Sequence, residues 1–286
     1  MKVHELLLNY ACTAKCPFCY NPPLTPELLR RDLDFDAAAR SLYAAAAAGA
    51  RALNLHGGEP TLRDDLPKLL ALARKLGFAR VTVVTNGVRL GDPAYARELV
   101  ECGATHFRVS LHGPAEINDA ILAIPGGTAK AEAGLRNLAG ASVGLNVVLI
   151  KANLAALPAH LERFTPRHDV IVYFPHQRGM MELNRDQAPS YAQAAAAVRA
   201  ALARSRRDNV RLANFVPCLL PEAADLMLDW TKEHDEPADM LQPGGKRAAV
   251  RLEKDAKRVK VDACRRCEHD AACLGVEREY AAEVPA

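Results

Sequence analysis

Short apolar runs alternate with longer stretches of helical spacing along the first 204 residues. The runs at residues 6–8, 52–55, 81–84, 107–111, 143–150 and 170–174 are brief and rich in Leu, Val and Ile, which predicts strands. Residues 35–48, 66–76, 93–102, 129–138, 154–164 and 191–204 space their apolar positions three and four apart, which predicts helices. Gly49, Gly77 and Gly103 follow three of these stretches, where a helix stop is expected. Residues 117–124 fit either state. Six strand–helix pairs in this order predict βαβ units and a parallel sheet. Strands as uniformly apolar as Val81-Thr82-Val83-Val84 suit burial on both faces.

Eight such units close a full barrel, so six predict an α/β fold with an open, partial (β/α)6 TIM-like barrel. The residues that break the apolar pattern follow the strands. Cys12, Cys16 and Cys19 come after the first, Gly57, Gly58 and Glu59 after the second, and Asn86 after the third. Ser110 and His112 mark the fourth, Asn153 the fifth, and His176 to Gly179 the sixth. Active sites in parallel α/β folds collect at the C-terminal ends of the strands, so these loops are expected to share one cavity.

The first loop carries three thiols in the pattern C-x3-C-x2-C, followed by Tyr20. Thiolates so close together can hold one soft metal centre. Tetrahedral zinc and a four-iron cluster both call for four ligands, and no fourth cysteine lies nearby. The stretch therefore reads as a cluster with one iron left open, with zinc as the alternative. Eight cysteines in a chain that enters a strand at once, with no room for a signal peptide, point to metal ligation rather than disulfides. That start, and the lack of any apolar run of membrane-spanning length, make a cytoplasmic location the expectation. Cys102 ends a helical pattern and reads as a buried free thiol. The formal charge, 37 − 34 = +3, is too small to argue for nucleic acid.

Composition changes after residue 204. Residues 210–216 predict a strand and 219–232 a helix, and Cys218, Cys264, Cys267 and Cys273 supply four thiols, enough for a closed second cluster or a zinc site. Two parts are expected, residues 1–208 as the barrel and 209–286 as an extension with its own metal. The basic residues Lys246, Arg247, Arg251, Lys254, Lys257, Arg258, Lys260, Arg265 and Arg266, interrupted by Glu253, Asp255 and Asp262, read as a solvated helix face rather than an anion or nucleic-acid site.

The pairing of C-x3-C-x2-C with Gly57-Gly58-Glu59-Pro60, in a six-unit strand–helix order, resembles the radical S-adenosylmethionine superfamily over residues 2–204. The resemblance implies a [4Fe-4S] cluster held by Cys12, Cys16 and Cys19, its open iron chelated by the amino and carboxylate groups of S-adenosylmethionine. Gly57, Gly58 and Glu59 would hold the methionine amino group. Asn86, Ser110 and Asn153 would meet the carboxylate and ribose, and Phe18 or Tyr20 the adenine. The C-terminal cysteines resemble part of the SPASM and twitch extensions, with thiols for one auxiliary [4Fe-4S] cluster. The implied activity is reductive cleavage of S-adenosylmethionine, with flavodoxin or ferredoxin as reductant, to a 5′-deoxyadenosyl radical that takes hydrogen from a substrate. Oxidative modification or crosslinking of a peptide is the first expectation, and a small metabolite or nucleoside the alternative. Because the motif begins at Cys12, a separate partner would deliver the peptide. His112 and His176 are the candidates for general acid or base. A non-catalytic iron–sulfur electron carrier would have no use for Gly57 to Glu59, and a zinc-dependent nucleic-acid module would need its aromatic residues grouped, whereas these are scattered.

Overall fold

The structure is a computed structural model and describes residues 1–228, 239–242, 247–249 and 257–284. The chain begins with β1 (Val3–Leu7), a short α1 (Pro26–Leu29) and α2 (Phe35–Ala47), then β2 (Ala52–His56) and α3 (Leu66–Lys75). It continues through β3 (Arg80–Thr85), α4 (Pro93–Cys102), β4 (His106–Ser110), α5 (Ala115–Leu122), α6 (Gly127–Asn137), β5 (Ser142–Val148) and α7 (Leu157–Phe164). Next come β6 (Val170–Tyr173), α8 (Tyr191–Leu202) and β7 (Val210–Ala213), and then four short strands: β8 (Asp239–Leu241), β9 (Arg247–Ala249), β10 (Arg258–Val259) and β11 (Val276–Glu277). The ambiguous stretch is thus helix α5.

The helices from α2 onwards form for local reasons and bury residues on one side, whereas the short α1 buries none. Asp34 caps α2 by accepting from the Ala37 N–H, and Ser190 with Gln193 makes a reciprocal capping box on α8. In α3 the buried positions are Leu66, Leu69, Leu70 and Ala73, the spacing of a single face. Together with Leu6, Leu53, Val81, Val83 and Val109 they belong to one continuous core between strands and helices. Each fully buried leucine there contributes about 2 kcal/mol. Among the described residues no helix is long and apolar enough to cross a membrane.

The main sheet runs β7-β6-β5-β4-β3-β2-β1-β8-β9, with every neighbour parallel except β8 and β9. The α/β architecture and open parallel sheet follow the sequence expectation, but the sheet crosses the expected boundary at residue 208. β7 pairs with β6, and β8 pairs with β1, so segments assigned to the extension complete the barrel wall. A shift in composition marks a change of surface, not of hydrogen-bonding partner.

Two further expectations are corrected. Within the expected helix at 219–232, Leu219 ends the 3-10 turn Pro217–Leu219 and residues 221–226 form a second one, Pro221–Leu226, because Leu220 before Pro221 is kept out of the helical region, with φ −150° and ψ 62°. Residues 229–232 of that expected helix lie outside the described residues. In the basic stretch, Arg247–Ala249 and Arg258–Val259 are strands, not a helix face, while Lys246, Arg251 and Lys254 lie outside the described residues.

The inner face of the sheet is polar. Glu5 of β1 accepts from Asn54 Nδ2 at 2.6 Å and lies 3.0 Å from His56 Nε2. Arg108 pairs with Asp169 at 2.5 Å, and Gly144 leaves room for this pair, since a Cβ there would lie 2.4 Å from Arg108 Nη1. Glu5, His56 and Asn146 carry this polar character to the cavity at the C-terminal ends of the strands, where Leu7, Val84 and Val148 line it too.

Candidate active site

A cavity of about 480 Å³ occupies the C-terminal ends of the strands. Its wall includes Cys12, Cys16 and Cys19, the Gly57-Gly58-Glu59 segment, Asn86, Ser110, His112, and Pro175 to His176 with Arg178. The loops after the first, second, third, fourth and sixth strands converge on it, while the loop after the fifth does not. Asn153 does not line this cavity. Its Oδ1 accepts from the Ile150 N–H and its Nδ2 donates to the His112 and Val148 carbonyls, so it is spent on closing the loop after β5.

The cysteine loop is held from three sides. The Gly58 N–H donates to Asn9 O at 2.6 Å and the Glu59 N–H to Ala11 O at 2.8 Å, extending strand-like pairing beyond β1 and β2. Lys15 N–H donates to Leu122 O at 2.9 Å, and Met180 N–H to Cys19 O at 2.9 Å. The two glycines are required by this packing: a Cβ at Gly57 would lie 2.4 Å from Asn9 O, and one at Gly58 2.2 Å from Ala11 O. Backbone meets backbone there, so neither side can yield. Gly58→Ala should therefore destabilise the protein by about 3 kcal/mol. Gly49→Ala, with φ +85° but open space, should cost about 1 kcal/mol. Urea denaturation of both variants checks the difference.

Glu59 is 1% exposed, and every partner it has is a donor. Its Oε1 accepts from Thr61 N–H (3.1 Å), Thr61 Oγ1 (2.7 Å) and Thr85 Oγ1 (2.7 Å), and its Oε2 from Asn86 N–H (2.7 Å). Burial pushes the carboxyl pKa up, and the bonds from Asn86, Thr85 and Thr61 pull it back only in part. Both oxygens accept backbone N–H groups, which suits the ionised form. Oε2 carries one bond and so keeps a second acceptor site. Thr85 belongs to the Thr85-Asn86-Gly87 stretch that the sequence marks at the end of the third strand, whereas Thr61 was not singled out, because an isolated threonine carries no signal.

Asn86 lines the cavity, but its amide is committed: Oδ1 accepts from Val88 N–H and Nδ2 donates to Thr13 Oγ1 at 3.0 Å. It fastens the cysteine loop to the third strand. Phe18 packs edge-on to His112 at 4.8 Å and against Ile121, Ile150 and Met181. Tyr20 is 47% exposed at the cavity wall, with the Arg178 guanidinium 6.0 Å from its ring centre. Tyr20 is thus the more accessible of the two aromatic candidates. Asn146, missed in the sequence, lines the cavity with an Oδ1 that has no partner among the described residues. The available signal was a polar residue inside an otherwise apolar strand.

The two histidines differ. His112 is buried, its Nδ1 accepts from Val148 N–H at 3.1 Å, and burial, with the nearby His160, pushes its pKa down to about 3. It is neutral with its proton on Nε2, a donor and not a base. His176 also lines the cavity, and its Nδ1 is bonded to Glu277 Oε1 of β11.

Burial raises the thiols of the first loop: Cys12 to about 11, Cys16 further, and Cys19 in the same direction. In the iron-free protein the folded state holds these protons while the unfolded chain releases them above about pH 9. Stability of the iron-free protein should therefore fall as pH rises from 9 towards 11, and rising pH up to 9 should favour iron uptake, which displaces the same protons. Thermal melts and iron titrations across this range check both.

A second group of thiols gathers away from the sheet. Cys218 follows Pro217, Cys264 lies in the 3-10 turn Asp262–Arg266, and these two with Cys267 and Cys273 ring one small cavity, alongside Lys260, His269 and Asp270. Burial, then the proximity of Cys273, Cys267 and Cys264, pushes the Cys218 thiol up to about 11. Among the described residues no three His, Cys, Asp or Glu side chains converge as ligands of a single ion do. A cubane cluster spreads its thiolates over several irons, so a wider ring of thiols fits it. Cys102 is partly buried against the core, less enclosed than expected.

Comparison with known proteins places these features in context. The model of the Radical SAM superfamily matches residues 6–163. The Fe-coproporphyrin III synthase of Methanosarcina barkeri is 32% identical over 181 residues, 61% of this chain and 45% of that protein. The PqqA peptide cyclase of Ruegeria pomeroyi is 35% identical over 158 residues, 54% of this chain and 41% of that protein. The chain thus spans less than half the length of these curated relatives. Among solved structures, SuiB of Streptococcus suis bound to S-adenosylmethionine superposes with a TM-score of 0.67 at 16% identity, covering 96% of this chain and 72% of that one. At that identity the likeness is one of fold.

Proposed function

This chain belongs to the radical SAM superfamily, and on that premise we propose that Cys12, Cys16 and Cys19 hold a [4Fe-4S] cluster whose fourth iron takes S-adenosylmethionine in the cavity they line. The observation that carries this reading is the convergence on one cavity of the three loop cysteines with Gly57, Gly58 and Glu59. A volume of about 480 Å³ is in the range of sites that enclose a small molecule. When bound, cluster and cofactor supply an electron and a 5′-deoxyadenosyl radical. The chain supplies the rest. Glu59 offers the remaining acceptor site of Oε2 to the methionine ammonium, a charge-assisted bond in a water-poor setting. Ser110 and Asn146 face the cavity as further polar contacts, and Tyr20 is the aromatic nearest solvent for the adenine. Flavodoxin or ferredoxin is the reductant this reading calls for.

Cys218, Cys264, Cys267 and Cys273 are read as ligands of a second, closed [4Fe-4S] cluster in a SPASM or twitch-like extension over residues 209–286. With four thiolates it has no open iron, so its role is electron transfer, and the net reaction is an oxidation. The substrate is read as a peptide, delivered by a partner, in line with the peptide named for the PqqA cyclase relative. A small molecule is the second reading, favoured by the porphyrin named for the M. barkeri relative.

The test is anaerobic reconstitution with iron and sulfide, followed by dithionite and S-adenosylmethionine. Release of 5′-deoxyadenosine is expected. Iron binding without any cleavage of the cofactor would overturn the reading. Mass spectrometry of candidate peptides and porphyrins then separates the two substrates, a loss of two hydrogens marking the oxidised product.

A further inference from the structure

The segment that follows β6 is gripped from both cysteine-rich parts of the chain. From the C-terminal part, Glu277 bonds His176 Nδ1 through Oε1 and accepts from the Gln177 N–H at 3.3 Å through Oε2. Tyr280 accepts from Gln177 Nε2 at 2.6 Å, and its ring packs on Phe174, 4.8 Å between centroids. From the N-terminal part, the cysteine loop closes over Gly179. At φ +58° this residue sits where a Cβ would be 2.5 Å from the carbonyl oxygens of Cys19, Tyr20 and Asn21. Met180 N–H then donates to Cys19 O, and Asn184 Nδ2 to Pro17 O at 3.3 Å. Between the two grips, His176 and Arg178 form part of the cavity wall.

Glu277 is an uneconomical way to gain stability alone. It is 8% exposed, and a buried carboxylate paired with an imidazole loses about as much solvation as it recovers. Burial pushes its pKa up, but the bond from His176 and the Gln177 N–H outweigh this and leave it low, so it is held as the charged acceptor. What such a group does better than an apolar side chain is fix direction: two oxygens, two partners on consecutive residues. The consecutive residues it fixes lead directly into Gly179 and Met180, whose backbone packs on the carbonyl of Cys19.

We propose that Glu277 is a positioning residue of the cofactor pocket, holding the His176–Gly179 segment so that the cysteine loop and the wall beside it keep the shape that receives S-adenosylmethionine. The inference rests on the reading of the cavity given above. It adds a residue from the far end of the chain, close after Cys273, to a site otherwise built at strand ends.

The test uses the full chain, reconstituted anaerobically. Glu277→Met fills the space but offers no acceptor; Glu277→Gln keeps an oxygen for the Gln177 N–H and a donor for a neutral His176. S-adenosylmethionine affinity is measured by titration, and the electron paramagnetic resonance signal of the reduced first cluster is recorded with and without the cofactor. Glu277→Met should bind about tenfold more weakly with an altered cofactor-induced signal, and Glu277→Gln should recover most of both. Thr165→Ala, which removes bonds to Leu161 O and the Arg206 N–H away from the cavity, is the control for lost stability. Wild-type affinity and signal in Glu277→Met, or equal weakening in Thr165→Ala, would overturn the proposal. Glu277→Ala is read in the same way should the methionine variant not fold. If the wild type itself shows no cofactor-induced signal, the reading of the cavity has failed instead.

Discussion

Exchanging Cys16 for alanine should reduce release of 5′-deoxyadenosine to background while leaving the fold, and the second cluster proposed for the C-terminal thiols, in place. Cys16 lies in the middle of the loop, where its carbonyl accepts from the Cys19 N–H and its neighbour Lys15 is tied to Leu122 O. The backbone of the loop is thus fixed by bonds that do not involve the thiol. Alanine keeps them all. A cluster held by three thiolates cannot spare one, so the loss is expected to be complete. Iron and sulfide should fall to about four of each, the content of one closed cluster. Iron falling to zero would mean that the C-terminal thiols do not hold a cluster, and zinc recovered in its place would assign that site to a structural ion.

Glu59→Gln should be the most damaging single-atom change outside the cysteines. The carboxylate accepts four hydrogen bonds and donates none. Glutamine must turn an NH2 towards one oxygen position, where it meets a donor: the Asn86 N–H on one side, or the Thr61 N–H on the other. Two buried donors facing each other leave both unpaired, which costs about 3 kcal/mol. The first consequence is a lower midpoint in urea. The second is that Asn86 releases Thr13, loosening the cysteine loop, so affinity for S-adenosylmethionine should drop about 100-fold. Full affinity in a Glu59→Gln protein of reduced stability would show that Glu59 supports the fold and not the cofactor.

What could be read from the residues divides along a physical line. Helices such as α3 and α4 were legible because a 3.6-residue stripe and its cap are local properties. The convergence of Cys12, Gly57 and Asn86 was legible because parallel topology places loops that follow strands at one end. Long-range pairing was not. That β8 joins β1, or that Glu277 reaches His176, depends on contacts between residues far apart in the chain, and no local pattern encodes the partner. The reason for Gly57 and Gly58 shifted in the same way. The resemblance assigns them to the methionine amino group, but the atoms that a Cβ there would meet first belong to the protein's own loop, at Asn9 and Ala11. Asn153 was misassigned because an asparagine at a strand end has the same spelling whether it meets a ligand or closes a turn.

The pairing of β8 with β1 also sets an order in time. The first strand and the cysteine loop leave the ribosome early, yet the neighbour on the free side of β1 begins at Asp239, and Met240 of that neighbour lines the cavity. A contact between positions so distant in sequence forms late, after the loop between them has been paid in entropy. During synthesis the nascent barrel therefore stands open along one flank, with its three thiols presented, until β8 arrives to pair with β1.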